Sequence, residues 1–257
     1  MVTPWKKPFL PIVTALGRRV ERRRFSEPPV FIGGCGRSGT TVLLSVLSAH
    51  REIFACPREL GLFDRIVEDA SGRRLPARID RLYTCLLTHR IPRHARRWCE
   101  KSPGNIHHVE DIDDYLRGNF RFIQIVRDGR DVVLSRHPGA PHRPWVSPRR
   151  WVRDVGAGLQ HTGRSRVHTI RYEDLIREFE ATLRSICRFL EIDFSEEIRN
   201  WKKSAAVRRN RAYRDGLQPL HARSIGKWRE AGGNDAVEEL MKNERARELL
   251  RVYGYLS

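Results

Sequence analysis

The sequence predicts an α/β protein, a P-loop-like three-layer sandwich with a central, mainly parallel sheet flanked by helices. Three observations lead there. The run Val30-Phe31-Ile32 enters a glycine turn, Gly33-Gly34-Cys35-Gly36-Arg37-Ser38-Gly39, and then an apolar run from Thr41 to Leu47. The same order of buried strand, tight turn and helix recurs where Arg121 to Val126 meets Arg127-Asp128-Gly129-Arg130-Asp131 and Val132-Val133-Leu134. Such units build parallel sheets with helices on their faces. The length of 257 residues suits one domain with a small appendage, at roughly 100–200 residues per domain.

The first turn is the most informative stretch. A glycine loop that opens a helix aims backbone N–H groups and a helix N-terminus at an anion. Gly34 to Gly39 has the G-x-x-x-x-G spacing of a phosphate-binding loop. A nucleoside-triphosphate enzyme continues with Lys and then Ser or Thr. Here Thr40 and Thr41 follow, and Arg37 stands inside the loop. The loop is therefore built for a shorter anion than a triphosphate. The plain structural alternative is a strand–helix turn with no ligand.

Residues 1–27 read as a basic N-terminal arm and residues 28–257 as the domain. In the arm, Trp5, Phe9, Leu10, Ile12, Val13 and Leu16 precede Arg18, Arg19, Arg22, Arg23 and Arg24. Such a segment can lie on an anionic membrane surface, pack on the domain or stay mobile. Pro11 breaks its apolar run and no small-residue cleavage site follows, so no signal peptide is expected. No apolar run is long enough for a transmembrane helix. The five scattered cysteines form no C-x-x-C pair, which fits reduced thiols in a cytoplasmic protein. The formal charge of +18 points to polyanionic partners such as nucleotides, nucleic acid, acidic glycans or anionic membrane.

Further along, a strand at 52–56 ends at Pro57, and Glu59 stands just beyond it. Ligands of open parallel sheets bind beyond the carboxyl ends of strands. Glu59 is thus placed either as a general base or as a helix N-terminal carboxylate meeting the dipole. Residues 60–96 read as helical and basic. A strand at Arg97-Trp98-Cys99-Glu100 puts Lys101 at another strand end, followed by a helix over 105–116. His107 and His108 are adjacent and point to different faces, so no metal site is read there. A helix opening at Asp128 would let Arg127 and Ser135 converge on one phosphate. Residues 137–148 read as loop. Helices follow around Trp151, Val155 and Leu159, over 179–190 and over 235–252, with a strand at 167–170. The basic stretch 204–230 includes Arg208, Arg209, Arg211, Ser224, Gly226, Lys227 and Trp228. Long loops of this kind are usually functional or disordered.

Together these residues resemble sulfotransferases that use 3′-phosphoadenosine-5′-phosphosulfate. Gly36-Arg37-Ser38-Gly39-Thr40-Thr41 is similar to that family's 5′-phosphosulfate loop. Arg127-Asp128-Gly129-Arg130-Asp131 with Ser135 is similar to its 3′-phosphate motif. Tyr172-Glu173-Asp174-Leu175 and Ser224-Ile225-Gly226-Lys227-Trp228 resemble its later nucleotide-site segments. The resemblance covers roughly Val30 to Tyr253 and leans to the bacterial and tyrosylprotein-type branches. Gly129 replaces a common proline, and Lys101-Ser102-Pro103 occupies the region where another branch carries a histidine base.

The resemblance implies the following roles. Gly36, Arg37, Ser38, Gly39, Thr40 and Thr41 hold the 5′-phosphate side of the donor, and Arg127, Ser135, Tyr172, Ser224 and Lys227 hold the rest of the nucleotide. Lys101 and Arg37 stabilise charge at the transferring group, and Glu59 takes the proton of an acceptor hydroxyl on a sugar, lipid or peptide. No metal is expected. The alternative is a P-loop nucleotide-dependent phosphotransferase, which requires the missing lysine and a magnesium-binding acid. A specific nucleic-acid binder is not expected, because no recognisable module or interleaved aromatics accompany the charge.

Overall fold

The computed structural model describes residues 10–137, 140–207 and 224–257. Helix α1 (Leu10–Arg24) precedes β1 (Val30–Gly33), α2 (Thr40–Leu47), β2 (Ile53–Ala55), β3 (Ile66–Glu68), β4 (Arg74–Pro76) and α3 (Ile79–Thr88). Strand β5 (Arg97–Lys101) leads through a 3-10 turn at Pro103–His107 into α4 (Val109–Leu116) and β6 (Arg121–Val126). Next come α5 (Gly129–Val133), β7 (Arg136–His137), β8 (Ala140–Pro144), α6 (Pro148–Leu159), β9 (Val167–Arg171), α7 (Tyr172–Arg177) and α8 (Phe179–Leu190). The chain closes with α9 (Glu196–Arg199), α10 (Trp201–Ser204), a 3-10 turn at Lys227–Arg229, α11 (Asp235–Lys242) and α12 (Glu244–Val252).

Five strands form one parallel sheet in the order β2-β5-β1-β6-β9. From β1 the chain fills one side of the sheet and then crosses to β6 on the other. The carboxyl end of β1 is therefore the topological switch point where such sheets bind ligands. Strand β1 is buried on both faces, which is why it reads as an unbroken apolar run. Val30 and Ile32 pack towards α2 and α8, and Phe31 packs towards α3 and α4. A third apolar group, including Val126, Trp151, Leu240 and Leu249, gathers α5, α6, α11 and α12 near the end of β6.

Several expectations change. Of residues 60–96, only α3 is α-helical; β3 and β4 form an antiparallel hairpin instead. Its turn is made by Asp69, whose Oδ1 accepts the N–H groups of Ser71 (2.9 Å) and Arg73 (3.0 Å). The expected loop at 137–148 contains β8, paired antiparallel with β7. The helix expected over 105–116 begins as the 3-10 turn, and the last helix is split at Asn243, whose side chain caps α12 through the Ala246 N–H at 3.0 Å. Pro138 and the arginines at 208, 209 and 211 lie outside the described residues.

Helix α1 of the arm packs on the domain. Val13 and Val20 join the apolar group under α3. Gly17 meets Tyr83 so closely that a Cβ there would fall 2.2 Å from the tyrosine Cβ. Glu21 accepts the Trp98 indole N–H at 2.9 Å. Ile12 and Leu16 remain exposed. Among the described residues no helix is long and apolar enough to cross a membrane, and all five cysteines are buried free thiols.

Candidate active site

The turn after β1 is made by backbone conformations that few residues adopt. Arg37 sits in the left-handed region at φ +69°. Gly39 has φ +93°, and a Cβ there would lie 2.4 Å from the Tyr172 ring. Glycine is required at this position twice over, by conformation and by space. Helix α2 starts at Thr40, so its first N–H groups open into the turn. Ser38 is fully buried, and its Oγ has no hydrogen-bond partner among the described residues. Arg37 stacks over Trp145 at 5.1 Å. Cys35, also in the turn, is buried, and burial pushes its thiol pKa well above the usual range.

Glu59 and Lys101, each expected at a strand end, meet. The Lys101 ammonium donates to Glu59 Oε1 and, at 3.0 Å, to Thr41 Oγ1 at the start of α2. Lys101 is fully buried, whereas half of the Glu59 side chain is exposed. A single cation thus ties the first turn of α2 to the acid beyond β2. The turn carrying Glu59 is itself held by Glu100. That carboxylate accepts the Leu60 N–H (2.9 Å), the Ser102 hydroxyl (2.6 Å) and the Asn105 amide (2.7 Å). Ser102 Oγ in turn accepts the Gly61 N–H at 3.0 Å. Burial raises the Glu100 pKa, while its three donors pull the other way.

The second basic turn lies beside the first. Arg127 donates to the carbonyl of Arg37 at 3.0 Å and to the carbonyl of Ser224, and stacks over Tyr172 at 4.6 Å. Its Nε is buried without a partner among the described residues. Tyr172 Oη and Ser224 Oγ share a hydrogen bond of 2.8 Å. Arg37, Arg127, Tyr172 and Ser224 are therefore one contiguous group. Helix α5 is shorter than expected and ends at Val133. Ser135 is thus not carried on its second turn, and its carbonyl instead accepts the Trp145 N–H at 2.8 Å. Lys227 opens the late 3-10 turn with its side chain exposed.

Two positions in this neighbourhood went unassigned in the sequence. Glu100 is an acid inside a strand, and Asp131 lies one turn beyond Arg127. The Asp131 carboxylate accepts the N–H groups of Gly226 (2.7 Å) and Trp228 (3.1 Å), which pins the 224–228 segment to α5. Burial raises the Asp131 pKa, against those two backbone donors. Arg130 pairs with Asp128 at 2.8 Å and stacks on Trp228 at 3.8 Å, a second tie to the same segment. A cavity of about 410 Å³ opens from the glycine turn past Glu59 towards Asp64, Arg81 and Arg150.

Fold and site together define a P-loop-like α/β protein whose two basic strand ends lie side by side, Arg127 touching the turn that carries Arg37. The chain belongs to the sulfotransferase family: the model of that family matches residues 28–196. A protein-tyrosine sulfotransferase 2 of Gallus gallus is 26% identical over 84% of this chain and 67% of its own length. A protein-tyrosine sulfotransferase of Drosophila melanogaster is 25% identical over 93% of this chain, which spans only 54% of that protein. Among solved structures, the sulfotransferase domain from the curacin biosynthetic pathway superposes with a TM-score of 0.63 at 16% identity, over 91% of this chain and all (100%) of that one. A mouse sulfotransferase complexed with PAP gives 0.56 at 16% identity, over 95% of this chain and 93% of that one.

Proposed function

We propose that this sulfotransferase moves a sulfuryl group from 3′-phosphoadenosine-5′-phosphosulfate to the hydroxyl of an acceptor. The observation that carries the reading is the Lys101 ammonium, shared between Thr41 at the phosphate loop and Glu59 at the cavity. It puts a buried positive charge between the place for a leaving phosphate and the place for an incoming hydroxyl. Ser38 Oγ and Arg127 Nε, without partners among the described residues, support the fit of an anionic donor, since buried polar atoms normally have partners.

When bound, the donor supplies an activated sulfuryl group on its 5′-phosphate. Ser38, Thr40, Thr41 and the N–H groups of residues 36–41 hold that phosphate at the N-terminus of α2. Arg127, Ser135, Tyr172, Ser224 and Lys227 hold the nucleotide and its 3′-phosphate. Glu59 takes the acceptor proton as the new oxygen–sulfur bond forms. Lys101 and Arg37 stabilise negative charge on the departing phosphate oxygen as the old bond breaks. The chemistry resembles phosphoryl transfer, where positioning and charge stabilisation supply most of the catalysis.

The test is transfer of labelled sulfate from the donor to a panel of acceptors, with release of 3′-phosphoadenosine-5′-phosphate as the second readout. Absence of nucleotide binding would end this reading. Labelled transfer from a triphosphate instead would favour phosphoryl transfer.

A further inference from the structure

We infer that the acceptor is a polyhydroxylated ring, a saccharide, bound in the cavity beside Glu59. The inference rests on the sulfuryl-transfer reading and adds the class of acceptor. Beyond the glycine turn, the cavity is walled by Glu59, Asp64, Arg81 and Arg150, with Trp145 at one side. Both carboxylates and guanidinium groups thus line the space. Each sugar hydroxyl both donates and accepts, so it finds a partner at either kind of group.

The side chains are held in place for this. Asp64 is paired with Arg78 at 2.9 Å yet remains nearly half exposed. Arg81 commits an N–H to the Leu60 carbonyl at 2.7 Å, which fixes its guanidinium near the Glu59 turn. Arg150 is steadied by Asp154 at 3.3 Å. Trp145 also lines the cavity, with the Arg37 guanidinium over its ring at 5.1 Å.

Other acceptor classes match this lining less well. An alkyl chain or a phenol needs continuous apolar walls, because its binding comes from apolar area removed from water. Aliphatic lining here comes from Leu60 and Pro103, and Leu60 is itself almost wholly buried. An acidic peptide would meet Glu59 and Asp64 as well as Arg37, Arg81 and Arg150, whereas a neutral sugar partners both kinds of group with no like-charge contact.

The experiment measures kcat/KM for sulfate transfer to three kinds of acceptor. They are neutral disaccharides (lactose, cellobiose, maltose, trehalose and N,N′-diacetylchitobiose), a tyrosyl peptide with flanking glutamates, and 1-dodecanol. At least one disaccharide is expected to exceed both other classes by about tenfold or more, the scale of one or two added hydrogen bonds. For that sugar, Asp64→Asn should raise KM by about tenfold while the thermal shift caused by 3′-phosphoadenosine-5′-phosphate stays unchanged. A better peptide or alcohol overturns the inference. So does failure to sulfate any disaccharide while the nucleotide still stabilises the protein. Loss of the nucleotide shift in the unmodified protein would instead strike at the sulfuryl-transfer reading itself.

Discussion

The ammonium of Lys101 and the carboxylate of Glu59 form an ion pair in which one partner is fully buried and the other half exposed. The exposed partner faces the cavity, and the buried one touches Thr41 at the head of α2. If Glu59 removes the acceptor proton, Glu59→Gln keeps size and polarity but deletes the base. Turnover should fall by about 10²–10⁴, the usual contribution of a positioned general base. Affinity for 3′-phosphoadenosine-5′-phosphate should barely change. Near-normal transfer by the variant would leave Glu59 a structural partner of Lys101 and nothing more.

Arg127 bridges the carbonyls of Arg37 and Ser224 and stacks on Tyr172. If this group also meets a 3′-phosphate, 3′-phosphoadenosine-5′-phosphate should raise the melting temperature far more than AMP at equal concentration. Arg127→Ala should remove most of the difference, because a charge-assisted hydrogen bond is worth about 1.5–3 kcal/mol. Equal shifts from the two nucleotides in the unmodified protein would place the 3′-phosphate elsewhere.

Asp131 holds two backbone N–H groups of the segment that carries Ser224 and Lys227. Without that carboxylate the segment loses its tie to α5. Asp131→Ala is expected to weaken 3′-phosphoadenosine-5′-phosphate binding about tenfold or more, while AMP, which needs less of the cover, loses less. Titration calorimetry with both nucleotides measures this. An equal loss for both would mean the variant has disturbed α5 as a whole.

Gly39 supplies a positive φ and leaves room for the Tyr172 ring. Gly39→Ala should cost about 1–3 kcal/mol from backbone strain alone, and the new methyl must push Tyr172 away from Ser224. Denaturant unfolding and nucleotide affinity should therefore fall together. A variant as stable as the parent would mean that the turn can relax.

The features legible in the sequence were those set by local pattern. Strand β6 and helix α8 span the expected residues because long apolar runs and helical spacing mark them. Glu59 and Lys101 could be singled out by their places after strand ends, and the fold brings them into contact. The β3–β4 hairpin was not legible, since three-residue strands carry no period to read. Nor was the break at Asn243, where a cap stands inside a continuous helical pattern. Glu100 and Asp131 were hidden for a different reason. Asp131 is held by backbone N–H groups 95 and 97 positions away, and Glu100 reaches one 40 positions away besides its neighbours Ser102 and Asn105; every residue except proline offers a backbone donor.

Glu100 allows a test with a definite sign in pH. Burial raises its pKa in the folded protein, ahead of the lowering by Asn105, Ser102 and Leu60. In the unfolded chain it titrates near the ordinary value of 4.5. Between that pH and the folded value, the folded state keeps a proton that the unfolded chain has released. The contribution of Glu100 to stability is therefore fully present below about 4.5 and is lost as pH rises through the folded pKa. Glu100→Gln removes the ionisation. Its carbonyl can still accept the Leu60 N–H and the Ser102 hydroxyl. Its new amide can donate to Asn105 Oδ1, a buried oxygen with no partner among the described residues, once that side chain turns over. Urea unfolding of both proteins at a series of pH values from about 4.5 to neutrality measures the outcome. The stability of the variant relative to the parent should rise with pH across that range. A difference that stays flat, or falls, would mean that the three donors outweigh burial and that Glu100 stabilises the Glu59 turn best as a carboxylate.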